Sequence, residues 1–332
     1  MKPFLMYFHL LALIFFLFSE IQQARNDNYP KLKGEYLGMP APKDEPELFA
    51  PGIISNGLDE LFGTFSPEGD LFYYIIAKKT QWNIMEVVLR DGEWQKPKIA
   101  SFSHNEAAKF CLSPDGNTIV LTDFRRLSGE KKTPSMPRVW ILSKNQGKWG
   151  VPRYIHGLDG AFAPSLSKRN TLFFHIRKKG QQDLYYSLCN NGTYASPIRM
   201  GPSVNSVSDE ADPFIAPDES YLLFSSNRKS GRGIYISFKD ADNRWTHAVA
   251  LASRINKLGN GAVNVGSVSP DGKYLFLFTN QIQTSHREKR YFLNSNNHKQ
   301  YMGPGNGSID IYWVSADVIR KRREEVFNQK EW

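Results

Sequence analysis

The sequence predicts an all-β fold, a single five-bladed β-propeller of four-stranded blades, and three observations support this prediction. A strand–turn–strand pattern recurs five times, a third strand follows each copy, and the fourth strand missing from the last copy is found near the N-terminus. Strand-rich repeats with a period near 50 residues are typical of propeller blades.

The repeated hairpin has a turn of the Ser-Pro-Asp-Gly type between two apolar runs. Its copies are TFSPEGDLFYYI (64–75), CLSPDGNTIVLT (111–122), SLSKRNTLFFHI (165–176), FIAPDESYLLFS (214–225) and SVSPDGKYLFLF (267–278). The matching positions lie 47, 54, 49 and 53 residues apart, at Pro67, Pro114, Lys168, Pro217 and Pro270. Pro presets φ in such a turn, and Gly accepts a positive φ. Each copy should therefore join two strands, here called a and b, with some strain where Glu219 replaces the Gly.

Two further strands complete each unit. Strand c is NIMEVVL (83–89), RVWILS (138–143), DLYYSL (183–188), GIYISF (233–238) and DIYWVS (310–315). Strand d follows in four copies, as EWQKPKIAS from Glu93 in the first, and is absent from the fifth. The segment ELFAPGIIS at 47–55 matches that first strand d, with Glu47 aligned to Glu93 and Ile53 to Ile99. We predict that this N-terminal strand completes the last blade and removes an exposed sheet edge.

The two ends of the chain fall outside the repeats. Residues 1–24 carry Lys2, an apolar run of about 15 residues and then polar residues, which is the pattern of a secretory signal peptide. The alternative is an uncleaved anchor, but the run is short of the ~20 residues that span a bilayer. We predict a signal peptide at 1–24, an N-terminal extension at 25–45, the propeller at 46–318 and a charged helical tail at 319–332. The mature protein should be periplasmic or secreted, with no transmembrane segment.

The net charge of +9 bears on the kind of partner, and the two cysteines bear on disulfide and metal binding. Basic clusters at 177–179, 287–290 and 320–323 are either solvated or form a face for an acidic polymer. A nucleic-acid partner is not expected of an exported protein. Cys111 and Cys189 both lie in apolar runs, so we predict two small buried side chains, with a disulfide as the alternative. Their separation excludes a thiolate metal site.

The SPDG hairpins, the DIYW strand and the displaced strand resemble the TolB-like, WD40-like β-propeller repeat family over about residues 46–318. The resemblance implies the fold. It implies no single function, because the family includes periplasmic binding and scaffold proteins as well as propeller domains of peptidases. The chain departs from the family in its third copy, SLSKRN, and in having five blades where six or seven are usual.

Acidic residues precede or begin strand a in four of the five copies, and we expect them to face the mouth of the central channel. They are Asp59, Glu60, Glu106, Asp159, Glu210 and Asp212. Such a ring could hold a divalent cation, supply the carboxyl pair of a glycosidase, or accept backbone N–H groups of neighbouring blades. The architectural role is favoured, because a catalytic pair needs unlike environments to separate its pKa values.

The loop at 281–308, between strands b and c of the fifth copy, is the second candidate. Connections of this length are usually functional or disordered. Arg287, Arg290, Tyr291 and Tyr301 combine cations with aromatic rings, which suits a polysaccharide, a peptidoglycan strand or a protein partner.

Together these features predict an exported, monomeric, non-catalytic binding or scaffold propeller without a cofactor. Its ligand, a protein or a glycan, would bind at the channel mouth and the 281–308 loop. The alternative is a carbohydrate-active hydrolase that uses the carboxylates at the mouth, so enzymatic activity stays open. The sequence contains no nucleophile elbow, no zinc-protease helix motif and no phosphate-binding glycine loop.

Overall fold

The computed structural model describes residues 29–78, 81–104, 107–229, 231–258, 262–282 and 303–328. In this part of the chain the long strands form five antiparallel sheets, which are the five blades of a β-propeller. The predicted signal peptide and residues 283–302 of the long loop lie outside the described residues. No helix among the described residues is long and apolar enough to cross a membrane.

Blades 1 to 3 each contain three long strands and short pieces at the outer edge. Strand β1 (Glu47–Leu48) comes first in the chain and belongs to blade 5. Blade 1 comprises β2 (Asp59–Phe65), β3 (Leu71–Lys78), β4 (Gln81–Arg90), β5 (Glu93–Trp94) and β6 (Lys98–Ile99). Blade 2 comprises β7 (Ala107–Leu112), β8 (Thr118–Asp123), β9 (Arg138–Asn145), β10 (Lys148–Trp149) and β11 (Arg153–Tyr154). Blade 3 comprises β12 (Ala161–Leu166), β13 (Leu172–Lys178), β14 (Gln181–Ser187), β15 (Cys189–Asn190), β16 (Thr193–Tyr194) and β17 (Ile198–Arg199).

Blades 4 and 5 follow the same plan, and three short helices accompany the strands. Blade 4 comprises β18 (Glu210–Ile215), β19 (Tyr221–Lys229), β20 (Gly231–Phe238) and β21 (Val249–Ala250). Blade 5 comprises β22 (Asn264–Val268), β23 (Tyr274–Ile282) and β24 (Asn306–Ser315), with β1 as its outer strand. The helices are a 3₁₀ turn (Glu35–Gly38), α1 (Ser253–Asn256) and α2 (Asp317–Asn328).

Each of the five a–b turns contains a residue in the left-handed conformation at the predicted position. Gly69, Gly116 and Gly272 have φ between 71° and 73°, and Asn170 and Glu219 reach 60° and 63° at the same position. Glu219 is buried, and its carboxylate accepts hydrogen bonds from Ser167 Oγ at 2.8 Å and Lys239 Nζ at 3.2 Å. The Ser167 contact links blades 3 and 4, the Lys239 contact lies within blade 4, and together they offset the strain of a non-glycine residue in this conformation.

The outer strand of a blade is divided into pieces. In blade 1, Glu93–Trp94 pairs with the end of β4 and Lys98–Ile99 pairs with its middle. Pro97 lies between the pieces, and a residue without an N–H group is tolerated at such an edge.

Strand β1 closes the ring as predicted, but in a different register. Leu48 pairs with Tyr312 of β24, as Ile99 pairs with Met85 in blade 1. Leu48 therefore occupies the place of Ile99, and the alignment of Glu47 with Glu93 was wrong. After β1 the chain does not stay extended, because Ala50 has a φ of 44° and its carbonyl accepts the N–H groups of Ile53 and Ile54.

An aromatic cluster fills the closing seam, the name used here for the interface between blades 1 and 5. Phe49 is fully buried, and its ring centroid lies 5.1 Å from Phe72, 5.1 Å from Phe276 and 5.2 Å from Trp313. Burial of this ring sets the register of β1, since a slip of one residue would turn Phe49 outward.

The first and last segments of the described chain, residues 29–38 and 317–328, contact the propeller. In the N-terminal segment, the carbonyls of Leu32 and Gly34 accept the backbone and indole N–H groups of Trp94 at 2.9 and 2.8 Å. Helix α2 begins two residues before the predicted tail, and it buries Val318 and Ile319 rather than extending into solvent.

The two cysteines are free thiols. The prediction of buried side chains holds for Cys111. Cys189 lies in the short outer hairpin β15–β16, where it is only half-buried, because that hairpin has no blade on its outer side.

We expect Phe49→Ala to lower the free energy of unfolding by roughly 3–5 kcal/mol, because it leaves a cavity among fully buried rings. Ile99→Ala removes a side chain that is 55% exposed on the outer edge of blade 1 and should cost less than about 0.5 kcal/mol. Urea unfolding followed by tryptophan fluorescence measures both. Equal, small losses would show that the closing seam does not depend on Phe49.

Candidate functional site

The five strands a surround the central channel, since each contacts the strands a of both neighbouring blades. Each carries an irregularity in its pairing with strand b. One position of strand a can be compared in every blade. It lies five residues before the first turn residue, which is Pro67, Pro114, Lys168, Pro217 or Pro270. The five residues there are Phe62, Lys109, Ala163, Asp212 and Val265. One acidic and one basic side chain thus enter an otherwise apolar ring.

Charged and polar groups from four blades meet around Asp212, and we call Lys109, His175, Asp212, Arg232 and Asn264 the channel plug. Lys109 Nζ lies 3.6 Å from Asp212 Oδ1, and Arg232 donates to Asp212 Oδ2 at 3.2 Å. The Asp212 N–H donates to His175 Nδ1 at 3.3 Å, and Arg232 Nε donates to Asn264 Oδ1 at 2.6 Å. The Arg232–Asp212 contact lies within blade 4, and the other three contacts join blade 4 to blades 2, 3 and 5.

Burial and charge set the ionisation of the plug. Burial alone would raise the pKa of Asp212, but the positive charges of Lys109 and Arg232 outweigh it and hold that pKa below its usual value. Burial lowers the pKa of His175 to about 4, so its imidazole is neutral near pH 7. Lys109 Nζ also lies 4.2 Å from the ring centroid of Phe278, a cation–π contact. The plug is therefore a satisfied polar cluster.

Glu210 is an anchor for the loop that enters blade 4. Its carboxylate is fully buried and accepts the Ser206 N–H at 3.0 Å, Ser206 Oγ at 2.6 Å, Ser226 Oγ at 3.0 Å and Arg228 Nη2 at 3.0 Å. These four donors, one of them the Arg228 cation, satisfy the hydrogen-bonding needs of the buried carboxylate.

Glu60 is the equivalent residue of blade 1, and it has lost most of these partners. Its Oε2 accepts the Asn56 N–H at 3.3 Å, whereas Oε1 has no hydrogen-bond partner among the described residues. The positions of Ser226 and Arg228 are held by Ile76 and the exposed Lys78. Burial and the neighbouring charge of Asp310 raise the pKa of Glu60 to about 8.

Asp310, at strand c of blade 5, is the second buried carboxyl group of the closing seam. Its Oδ2 accepts the Gly305 N–H at 2.8 Å, and Oδ1 has no hydrogen-bond partner in the described part of the chain. Burial, opposed in part by that hydrogen bond, raises the pKa of Asp310 to about 6.

The remaining predicted acidic residues are held apart from one another. Asp59 accepts the Ile309 N–H of blade 5 at 2.9 Å, and Asp159 is half-exposed and accepts the Tyr154 hydroxyl at 2.8 Å. Hydrogen bonds from neighbouring backbone, as at Asp59, are those expected for an architectural role. Glu106, Arg287, Arg290, Tyr291 and Tyr301 lie outside the described residues.

Sequence reasoning missed Lys109, Arg232 and Asp310. A comparison of the copies position by position would have identified two of them. Lys109 is the basic residue at a position where three other copies have apolar residues. Asp310 is the first residue of strand c in DIYW, as Asp183 is in DLYY. Arg232 has no equivalent signal. Among the described residues, no group of three His, Cys, Asp or Glu side chains is arranged to hold a metal ion.

A cavity of about 260 Å³ occupies the other end of the channel, at the face formed by the a–b turns, and we call it the turn cavity. Its lining includes Phe62, Thr64, Phe65, Pro67, Pro114, Ser165, Phe214, Pro217, Tyr221, Ser267, Val268 and Pro270. None of the acidic residues predicted for a site lines it. Phe62 closes its inner end, below the plug.

Comparisons with known proteins leave the activity open. No protein-family model matches the chain, and no curated protein matches it. Similar solved structures include a protein described as TolB from Agrobacterium tumefaciens, with 14% identity, a TM-score of 0.44, and coverage of 67% of this chain and 70% of that one. TolB from Acinetobacter baumannii is 13% identical, with a TM-score of 0.44 and coverage of 78% and 57%. A glycosyl hydrolase from Bacteroides ovatus is 10% identical, with a TM-score of 0.44 and coverage of 87% and 96%.

These likenesses agree with the TolB-like resemblance of the repeats at the level of the propeller fold. Identities this low, at TM-scores below 0.5, carry no argument about what the protein binds or catalyses. The class that the fold and the channel define is a five-bladed propeller with a plugged channel and a cavity at its turn face.

We expect the free energy of unfolding to fall as the pH decreases from 6.5 to 4, because the unfolded chain binds a proton at His175 in this range and the folded chain does not. The loss should reach up to about 3 kcal/mol. His175→Gln should remove this part of the pH dependence, and the same substitution at the exposed His247 should not. Urea titrations at several pH values measure it. If the wild type and His175→Gln lose the same free energy of unfolding between pH 6.5 and pH 4, His175 is not the group responsible.

Proposed function

We propose that this protein is a non-catalytic binding propeller, and that its ligand is a short apolar segment of another protein that enters the turn cavity. The observation that carries the proposal is the cavity itself, on the propeller axis and walled by prolines and aromatic rings. Concave, mainly apolar sites with a few polar groups are typical of ligand pockets.

The state of the carboxylates favours binding over hydrolysis. A glycosidase needs two carboxyl groups that flank an open substrate site. Here Glu210 is saturated by hydrogen bonds, Asp212 lies between two cations, and Asp59 holds a neighbouring backbone N–H. Glu60 is close to Asp310, but both are fully buried in the closing seam and neither lines the turn cavity.

The chemistry of the cavity wall favours a peptide over a sugar. Sugar hydroxyls require many hydrogen-bonding partners, and the hydroxyls of this wall are partly used already. Ser165 Oγ accepts the Ile215 N–H at 3.0 Å, and Ser267 Oγ donates to the Gly63 carbonyl at 2.6 Å. Lys168, exposed at the rim in the one turn without Pro, adds a positive charge for an acidic group beside the apolar segment.

The predicted signal peptide places the partner outside the cytoplasm as well. The protein would then meet exported or cell-surface proteins. The 281–308 loop leaves β23 and enters β24 at the channel end opposite the turn cavity, so its predicted contacts would form a second, separate surface.

Phage-displayed peptide libraries panned on the protein test the proposal. Selected peptides should lose at least about tenfold in affinity for Val268→Trp, which fills the turn cavity, because an apolar anchor in a pocket carries most of such binding. Leu188→Trp places the same indole on the outer edge of blade 3, where the native side chain is 44% exposed, and should bind like the wild type.

A panel of soluble oligosaccharides provides the opposing outcome. If a glycan binds with the same affinity to the wild type and to Val268→Trp while no peptide is selected, the turn cavity is not the binding site and the proposal is wrong.

A further inference from the structure

We propose that Glu60 and Asp310 share one proton and make the closing seam a pH-sensitive latch, firm at mildly acidic pH and looser at alkaline pH. This inference is independent of the ligand proposed above. It rests on the burial of the pair, on the hydrogen-bond partners that the pair lacks, and on its place in the fold.

The geometry calls for a proton between the two carboxyl groups. Both side chains are fully buried, and one oxygen of each accepts a backbone N–H, from Asn56 and Gly305 respectively. The other oxygens, Glu60 Oε1 and Asp310 Oδ1, have no partner among the described residues. Two ionised carboxylates side by side in a buried site repel strongly, whereas one shared proton gives both free oxygens a hydrogen bond.

Glu210 of blade 4 can be compared directly with Glu60 of blade 1. Glu210 opens strand a of blade 4 as Glu60 opens strand a of blade 1, and each accepts the N–H of the residue four positions earlier. Glu210 adds Ser226 and Arg228, which balance its charge. Glu60 has no such cation among the described residues, so its buried carboxyl group lacks the charge balance that Glu210 has.

Among the described residues, no other group near the pair supplies a positive charge. The titratable side chains that face it are Asp59 on β2, Tyr74 on β3 and Tyr312 on β24, with Tyr29 next to Tyr74. All are acidic or neutral. No salt bridge among the described residues includes Glu60 or Asp310, and no three-ligand metal arrangement is found there, which favours a proton over a metal cation.

The position of the pair connects its charge to ring closure. Ser55 Oγ exchanges hydrogen bonds with the backbone of Ile311, at 3.2 Å in both directions. Asp59 holds the Ile309 N–H, and Asn306 Nδ2 donates to the Gly57 carbonyl at 2.9 Å. These contacts join residues 55–60 to β24 on both sides of the pair. Repulsion between Glu60 and Asp310 would therefore act directly on the contacts that close the propeller.

The sign of the pH effect follows from the raised pKa values, about 8 for Glu60 and about 6 for Asp310. A carboxyl group whose pKa is raised by folding keeps its proton in the folded chain after the unfolded chain has released it. The stability of the seam is then greatest below about pH 4, falls as the pH rises from about 4 to about 8, and is constant above that.

Hydrogen exchange of the full-length protein, followed by mass spectrometry, tests the latch. The readout is the exchange of amides in 306–315 for the wild type and Glu60→Gln at one pH, so that intrinsic exchange rates cancel. The ratio of the wild-type exchange rate to the Glu60→Gln rate should be at least about fivefold larger at pH 8.5 than at pH 5. Asp310→Asn should behave like Glu60→Gln. Glu210→Gln is the matched control, and it should leave the exchange of 306–315 unchanged at both pH values.

Two results would overturn the proposal. The first is a ratio between wild type and Glu60→Gln that is the same at pH 5 and pH 8.5. The second is stabilisation of the wild type, but not of Glu60→Gln, by a divalent cation that a chelator reverses, which would make the pair a cation site.

Discussion

Closure of the ring is the constraint on which the rest of the structure depends. Blade 5 is complete only when β1, near the N-terminus, pairs with β24, near the C-terminus, and no other strand pair closes so long a loop. The pairing itself is short, with two residue pairs. Its stability has to come from side chains, and the seam supplies them as the buried cluster around Phe49 and Trp313.

The five blades repeat the backbone but not the chemistry of the channel. The same backbone site presents Phe62, Ala163 and Val265 in three blades and the oppositely charged Lys109 and Asp212 in the other two. This ion pair joins blades 2 and 4 across the channel, and its charges are buried among apolar residues of the other three blades. The turn cavity lies at the end of the channel formed by the a–b turns.

The fold was predictable from the sequence because it depends on features that are local to each repeat. Pro, Asp and Gly residues predict the a–b turns, and apolar runs predict the strands. The register of β1 was not predictable, since a match of letters at 47–55 says nothing about the turn that begins at Ala50. The roles of the acidic residues were also hidden. Glu60 and Glu210 look alike in sequence, and only the neighbouring blade determines whether a cation or another carboxyl group is next to them.

That difference between the two glutamates bears on how the propeller could respond to its surroundings. The seam between blades 3 and 4 is joined by the continuous chain and carries a balanced charge at Glu210 and Arg228. At the closing seam, the pairing of β1 with β24 joins strands that are distant in the chain, and Glu60 and Asp310 lie beside it without a cation among the described residues. A destabilising charge has the largest structural effect where the fewest other interactions oppose it. Proton release from Glu60 and Asp310 would act next to this short pairing, and the turns of blades 1 and 5 line the turn cavity. Through them, the protonation of the seam and the shape of the proposed binding site would be coupled.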